Sequence, residues 1–207
     1  MKISKIISLS AISLICFSVS GCGNNVEKEE VITLNVYNCA DYIAETEEGT
    51  LGVCDQFEIY CKEVLNAFEK EQADRLLLLG DILYHGPRND LPKEYAPKKV
   101  IELLNARKES ILCVRGNCDA DVDQMVLQFP ILADYAVIPV NDKLVYITHG
   151  HNFNENNLPP MADGDILLHG HTHVPKCVDH GNYIYMNPGS VSIPKENSPH
   201  SAILLEE

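Results

Sequence analysis

Ile166-Leu167-Leu168-His169-Gly170-His171-Thr172-His173 joins an unbroken apolar run to a glycine-punctuated cluster of imidazoles. Continuous apolar runs of this length are what strands buried on both faces look like. Three more stretches repeat the arrangement. Leu76–Leu79 leads into Gly80-Asp81, Ile111–Val114 into Arg115-Gly116-Asn117-Cys118-Asp119, and Leu144–Ile147 into Thr148-His149-Gly150-His151. In α/β sheets, ligands bind in the crevice beyond the carboxyl ends of the strands. Four such ends here deliver a carboxylate, an amide and several imidazoles, with glycines that let the backbone turn tightly.

The segments between these runs have helical periodicity. Phe57, Tyr60, Cys61, Val64, Leu65 and Phe68 recur at the spacing of an amphipathic helix. Pro97 is placed to open a second helix whose inner face is Val100, Ile101 and Leu104. A third is expected from Asp121 to Phe129, with Val122, Met125, Val126 and Phe129 turned inward and Pro130 as its stop. Val31–Tyr37 alternates as a strand does. Strands interleaved with helices predict an α/β layered fold.

The donor set has a chemical logic. Imidazoles with a carboxylate suit zinc, manganese or iron, whereas calcium wants oxygen ligands throughout. His171 and His173 are two apart on one loop and can address neighbouring ions. The carboxylate of Asp81 can bridge two cations, and the neutral Asn117 adds a ligand without adding charge. Two adjacent ions polarise a phosphoryl group and acidify the attacking water. Asp81, Asn117, His149, His171 and His173 are the expected metal ligands, and Asp81, Asn117 and His149 the expected catalytic residues. The residues that would hold the rest of a substrate cannot be read from the sequence.

Composition narrows the partners. The 207 residues carry a net charge of −14, with no local Lys/Arg cluster to offset it. Such a surface repels a phosphate backbone, which argues against a nucleic-acid groove. A small phosphorylated substrate is compatible with it, because bound divalent cations invert the local field.

Gly80-Asp81, Gly116-Asn117-Cys118-Asp119, Thr148-His149-Gly150-His151 and Gly170-His171-Thr172-His173 resemble the successive motifs of the calcineurin-like metallophosphoesterases. His85-Gly86-Pro87-Arg88-Asn89 and Asn187-Pro188-Gly189-Ser190-Val191-Ser192-Ile193-Pro194 narrow the resemblance to the YfcE-type phosphodiesterases, over about residues 61–207. That resemblance implies a four-layer αββα sandwich and a two-metal centre, commonly manganese, acting on phosphodiesters. It further implies that Asp81 bridges both metals, that Asn117, His149 and His171 serve the second, and that His173 serves the first. Cys118 stands where many relatives in the wider superfamily carry a histidine.

The chain departs from the family pattern at its first motif. The Asp-x-His that supplies two ligands of the first metal should precede the first helix, yet Val53, Cys54 and Asp55 occupy that place, and no histidine precedes Asp81. One ion instead of two is then expected, with impaired turnover. Val31–Tyr37 can substitute for the missing first strand, which would put Asp41 near its carboxyl end; Asp55, ahead of the first helix, is the other candidate to approach the first metal position. The carboxyl end also stops short of its relatives, so an exposed sheet edge is expected after Ala202–Leu205.

Residues 1–22 read as a leader. Lys2 and Lys5 precede an apolar stretch from Ile6 to Val19, and Val19-Ser20-Gly21-Cys22 resembles a bacterial lipobox with Cys22 as the lipidated residue. A lipid on Cys22 would be the chain's sole link to a membrane and would place it on the outer face of the cytoplasmic membrane. The body speaks differently, because Cys39, Cys54, Cys61 and Cys177 have no disulfide or CxxC spacing and look cytosolic. Thr33–Asn38 through Tyr42-Ile43, and Cys54-Asp55-Gln56-Phe57, resemble the start of a polyamine-type solute-binding lipoprotein. The expected organisation is a leader at 1–22, a linker and foreign segment at 23–60, and a phosphoesterase domain at 61–207. A solute-binding fragment and an inactive hybrid are the alternatives to an enzyme.

Overall fold

A computed structural model of the chain describes residues 2–8, 34–37, 53–83, 97–191 and 194–206. Two five-stranded sheets lie at its centre. The first contains β1 (Lys2–Ser8), β2 (Leu34–Tyr37), β3 (Arg75–Leu78), β4 (Ile111–Cys113) and β10 (Ser201–Glu206), in the order β1-β10-β2-β3-β4. The second contains β5 (Tyr135–Val140), β6 (Lys143–Thr148), β7 (Ile166–His169), β8 (Pro175–Asp179) and β9 (Ile184–Pro188), in the order β5-β6-β7-β9-β8.

The four apolar runs become parallel strands of these sheets. β2, β3 and β4 run parallel in one, and β6, β7 and β9 in the other. Alternation along β3 shows why continuous leucines suit the position. Leu76 and Leu78 pack toward the helices α1 (Val53–Lys70) and α2 (Pro97–Asn105), while Leu77 and Leu79 pack against the second sheet. Each fully buried leucine contributes about 1.5–3 kcal/mol. The inner face of α2 is as expected, with Val100 and Leu104 buried.

A third apolar cluster, Tyr146, Leu167, Tyr183 and Tyr185 with Met161 against it, lies beyond the second sheet. Among the described residues no helix covers it. The segment 151–164 forms that outer layer instead, tied down where the Tyr146 hydroxyl donates to Pro160 O (2.8 Å) and Thr148 Oγ1 to Phe153 O (2.8 Å).

Three expectations need correction. The third helix, α3, spans only Asp121–Gln124, and Val122, Met125 and Val126 are 57%, 84% and 43% exposed instead of turned inward. Its cause is local. Gln124 Nε2 donates to Leu127 O and Phe129 O, and Gln124 Oε1 accepts from Ile131 N, so one side chain takes over backbone groups that a longer helix would have used. Leu127 and Phe129 are buried by the resulting turn. Second, α1 begins at Val53, so Asp55 falls inside its first turn and not in a loop ahead of it. Third, β10 is not left as an edge. It pairs antiparallel with β2 on one side and β1 on the other, from Lys2↔Glu206 to Ser8↔Ser201.

Candidate metal centre

The loops after β3, β4, β6 and β7 converge. Asp81 follows β3 with a left-handed backbone (φ 55°), and Asn117 follows β4 across Gly116. Gly116 is required by this approach, since a Cβ there would lie 2.0 Å from Asp81 Oδ1. Gly80 mirrors it, for a Cβ would meet Gly116 N at 2.3 Å. Two backbone segments can pass this closely only without side chains.

Asp119 holds the two loops together. Its buried carboxylate accepts the N–H groups of Gly116 (2.7 Å), Asp81 (2.8 Å) and Ile82 (2.9 Å). Burial pushes its pKa up, against the pull of these donors. Cys118 N–H in turn donates to Asp81 Oδ1 at 2.9 Å. The sequence marks Asp119 only as part of a motif; that it accepts three N–H bonds has no signature in residue order.

His149 sits at the centre of the site. Its Nδ1 lies 2.6 Å from the carbonyl oxygen of Leu79, which can only accept, so Nδ1 carries the hydrogen and Nε2 bears the lone pair of the neutral ring. Nε2 faces Asn117 Oδ1 at 3.0 Å, His171 Nδ1 at 3.1 Å and Asp81 Oδ2 at 3.2 Å. The donor atoms of Asp81, His149 and His171 all lie within 4.8 Å of one another. Asn117 turns its nitrogen away, toward Cys118 Sγ at 3.2 Å.

Such an arrangement calls for a positive charge. Asp81 Oδ2 is fully buried and, though near His149, has no aligned hydrogen-bond partner. Buried oxygens without a partner are costly. Burial alone would raise the Asp81 pKa, but the His149 imidazole and the Cys118 N–H outweigh it and hold the carboxyl below its usual range. Burial opposes protonation of His149 too, yet the Asp81 carboxylate prevails and raises its pKa. Without a cation, the Asp81 carboxylate instead favours a proton on the His149 ring. With one, Asp81 Oδ2, Asn117 Oδ1, His149 Nε2 and His171 Nδ1 supply two oxygens and two nitrogens, a set suited to a borderline divalent ion. The residues fit a metal.

His173, the remaining expected ligand, is buried on the same loop with φ 61°, close to the 63° of His171. It is not one of the residues whose donor atoms gather around His149. His151 stands at the rim, exposed, with its ring centroid 5.3 Å from that of His149. Burial and the neighbouring His149 push its pKa down. Asp41, the lipobox around Cys22 and the motif at His85 lie outside the described residues.

Comparison with known proteins agrees with the motifs. Residues 60–207 match the model of the calcineurin-like phosphoesterase superfamily domain. The chain is 46% identical to phosphodiesterase YfcE of Escherichia coli over 145 residues, 70% of this chain and 79% of that one. Among solved structures it is similar to the same E. coli phosphoesterase, with a TM-score of 0.71 and 40% identity over 84% of this chain and 88% of the other. A predicted phosphoesterase from Streptococcus pneumoniae shares the fold, with a TM-score of 0.52 and 20% identity over 86% of this chain and 84% of that one. With more than half its length matched by the family model, this chain belongs to the calcineurin-like phosphoesterase superfamily.

Proposed function

We propose that this chain is a phosphodiesterase that hydrolyses small phosphodiesters around one divalent cation, manganese by preference, held by Asp81, Asn117, His149 and His171. The observation that carries the reading is the buried, unpartnered Asp81 Oδ2 beside the lone pair of His149 Nε2. A bound divalent cation supplies Lewis acidity toward the phosphoryl group and the attacking water. The protein's own part is orientation. Leu79 O fixes the His149 tautomer, Cys118 N–H turns Asp81 so that Oδ2 faces inward, and Asn117 contributes a neutral oxygen that leaves the cation's charge undiminished.

His173 belongs by resemblance to the other cation position, whose Asp-x-His partners the sequence lacks. Turnover is accordingly expected to be far below that of relatives with both positions. Calorimetric titration with manganese tests this, together with hydrolysis of a generic aryl phosphodiester. One ion per chain and weak hydrolysis, both lost in Asp81→Asn, support it. Two tightly held ions, or hydrolysis indifferent to Asp81→Asn, would sink it.

The lipobox favours a second reading, which concerns location. Lipidation at Cys22 with cleavage before it would anchor the chain to a membrane and remove Lys2–Ser8, the residues of β1. The two fates exclude each other within one molecule. The mass of the mature chain decides between them. Among the described residues no helix is long and apolar enough to cross a membrane. A solute-binding role makes a separate demand, heat on titration with spermidine.

A further inference from the structure

The segment that begins Asn187-Pro188-Gly189 plays no part in the proposed chemistry, yet its first side chain is fully buried against the loop that carries two of the expected ligands. Asn187 Oδ1 accepts the N–H of Gly189 at 2.9 Å. A backbone N–H can only donate, so this bond settles which way the carboxamide faces. Nδ2 then points at Gly170 O (2.8 Å), Thr172 Oγ1 (3.0 Å) and the Tyr185 hydroxyl (3.1 Å). Gly170 and Thr172 are the residues immediately before and after His171.

His171 and His173 both adopt left-handed backbone, which is uncommon outside glycine. Such residues persist only where their surroundings over-determine them. Three backbone bonds help, from Gly170 N to His149 O (3.0 Å), from Thr172 N to Gly170 O (2.7 Å) and from Lys195 N to His173 O (3.1 Å). The Asn187 amide is the side chain that grips this turn from both flanks. Its own footing is firm, because Ser201 Oγ donates to Pro188 O at 2.7 Å and so ties this corner to β10 in the other sheet.

We propose that Asn187 is a positioning residue for the metal centre: by clasping Gly170 O and Thr172 Oγ1 it holds His171 Nδ1 beside His149 Nε2. The assignment rests on the proposed metal site. Asn187 acts through the loop.

Two near-isosteric variants separate positioning from simple stability. Asn187→Asp keeps the acceptor for Gly189 N–H and removes the donor, setting a carboxylate oxygen against Gly170 O. Thr172→Val removes one acceptor and keeps the shape. Manganese affinity is measured by calorimetry, the environment of the bound ion by electron paramagnetic resonance, and the melting of the metal-free chain by calorimetric scan. Loss of an outer partner that orients a ligand weakens metal binding about 10–100-fold. Asn187→Asp is expected within that range and Thr172→Val at or below its lower end, both with an altered resonance spectrum. Ile166→Val serves as the control, a core change that lowers melting while leaving manganese affinity and the spectrum alone.

Should Asn187→Asp fail to fold, Thr172→Val carries the decision. Folded variants that bind manganese with unchanged affinity and spectrum overturn the assignment and leave the metal centre standing. An unsubstituted chain that takes up no manganese removes the metal reading and this assignment together.

Discussion

His149 Nδ1 donates across 2.6 Å to the carbonyl oxygen of Leu79, so one backbone atom decides which nitrogen of that ring is free. Leu79 also ends the apolar run that delivers Asp81. Burial of the strand thus sets the position of one expected ligand and the tautomer of another.

Replacing His149 removes the atom on which the other donors converge. His149→Ala is expected to weaken manganese binding beyond the roughly 10–100-fold typical of losing an outer partner. Titration calorimetry reads the loss. Folding should persist, which a far-ultraviolet spectrum verifies.

The shifted pKa values give metal-free stability and metal affinity opposite slopes. His149 is raised above its ordinary 6.5, so its contribution to stability is complete below that value and fades as pH climbs through the folded value. Asp81 is depressed below 3.8, so its contribution is present above that value and fades as pH falls through the folded one. Between the two, the pair is charged on both sides. Urea unfolding of metal-free protein should therefore show stability declining as pH rises above 6.5. Manganese must displace the His149 proton, so its affinity should increase over the same span.

Asp119→Asn tests the clamp between the loops. Three N–H groups lose a carboxylate, and an amide nitrogen must face at least one of them. A buried polar group left without its partner costs about 1–3 kcal/mol. Denaturant melts should register that loss, and manganese affinity should fall with it because Asp81 and Asn117 ride on the clamped loops.

Gly116→Ala probes the same crossing by volume alone. The added carbon would stand 2.0 Å from Asp81 Oδ1 and 2.3 Å from Asp81 N. Overpacking of this kind costs about 1–3 kcal/mol. Its sharper mark is a manganese isotherm flattened by displacement of the carboxylate.

The turn after α3 predicts a contrast between neighbours. Met125→Gln, at an exposed position, should change stability by less than about 0.5 kcal/mol. Phe129→Ala, at a buried one, should cost about 3–5 kcal/mol. Had the helix run to Phe129 with Met125 inside, both would be severe.

Much of this architecture is legible in residue order because burial on two faces leaves an unmistakable trace. Leu76–Leu79 and Ile166–Leu168 can hardly be anything but interior strands, and the residues just after each run must lie at the sheet's carboxyl edge. Less can be read where side chains bond to backbone. The apolar spacing of Val122, Met125 and Val126 suggests a helix face, but Gln124 and Asn105 spend their amides on the turn that interrupts it. β5, β8 and β9 escape notice for a different reason. Tyr135–Val140 exposes alternate residues along an edge and contains Pro139, so neither a buried run nor a regular alternation announces it. Within the site, residue types reveal donors but not which carbonyl or carboxylate holds them, so the parts played by Leu79 and Asp119 emerge only in three dimensions.

Asp81, His171 and His173 are all kept in a backbone shape that glycine or asparagine would occupy with greater ease. Under selection for heat tolerance alone, substitutions would accumulate there early, relaxing the turns and discarding the side chains. That this chain places an aspartate and two histidines at those points is a cost that endurance alone does not explain.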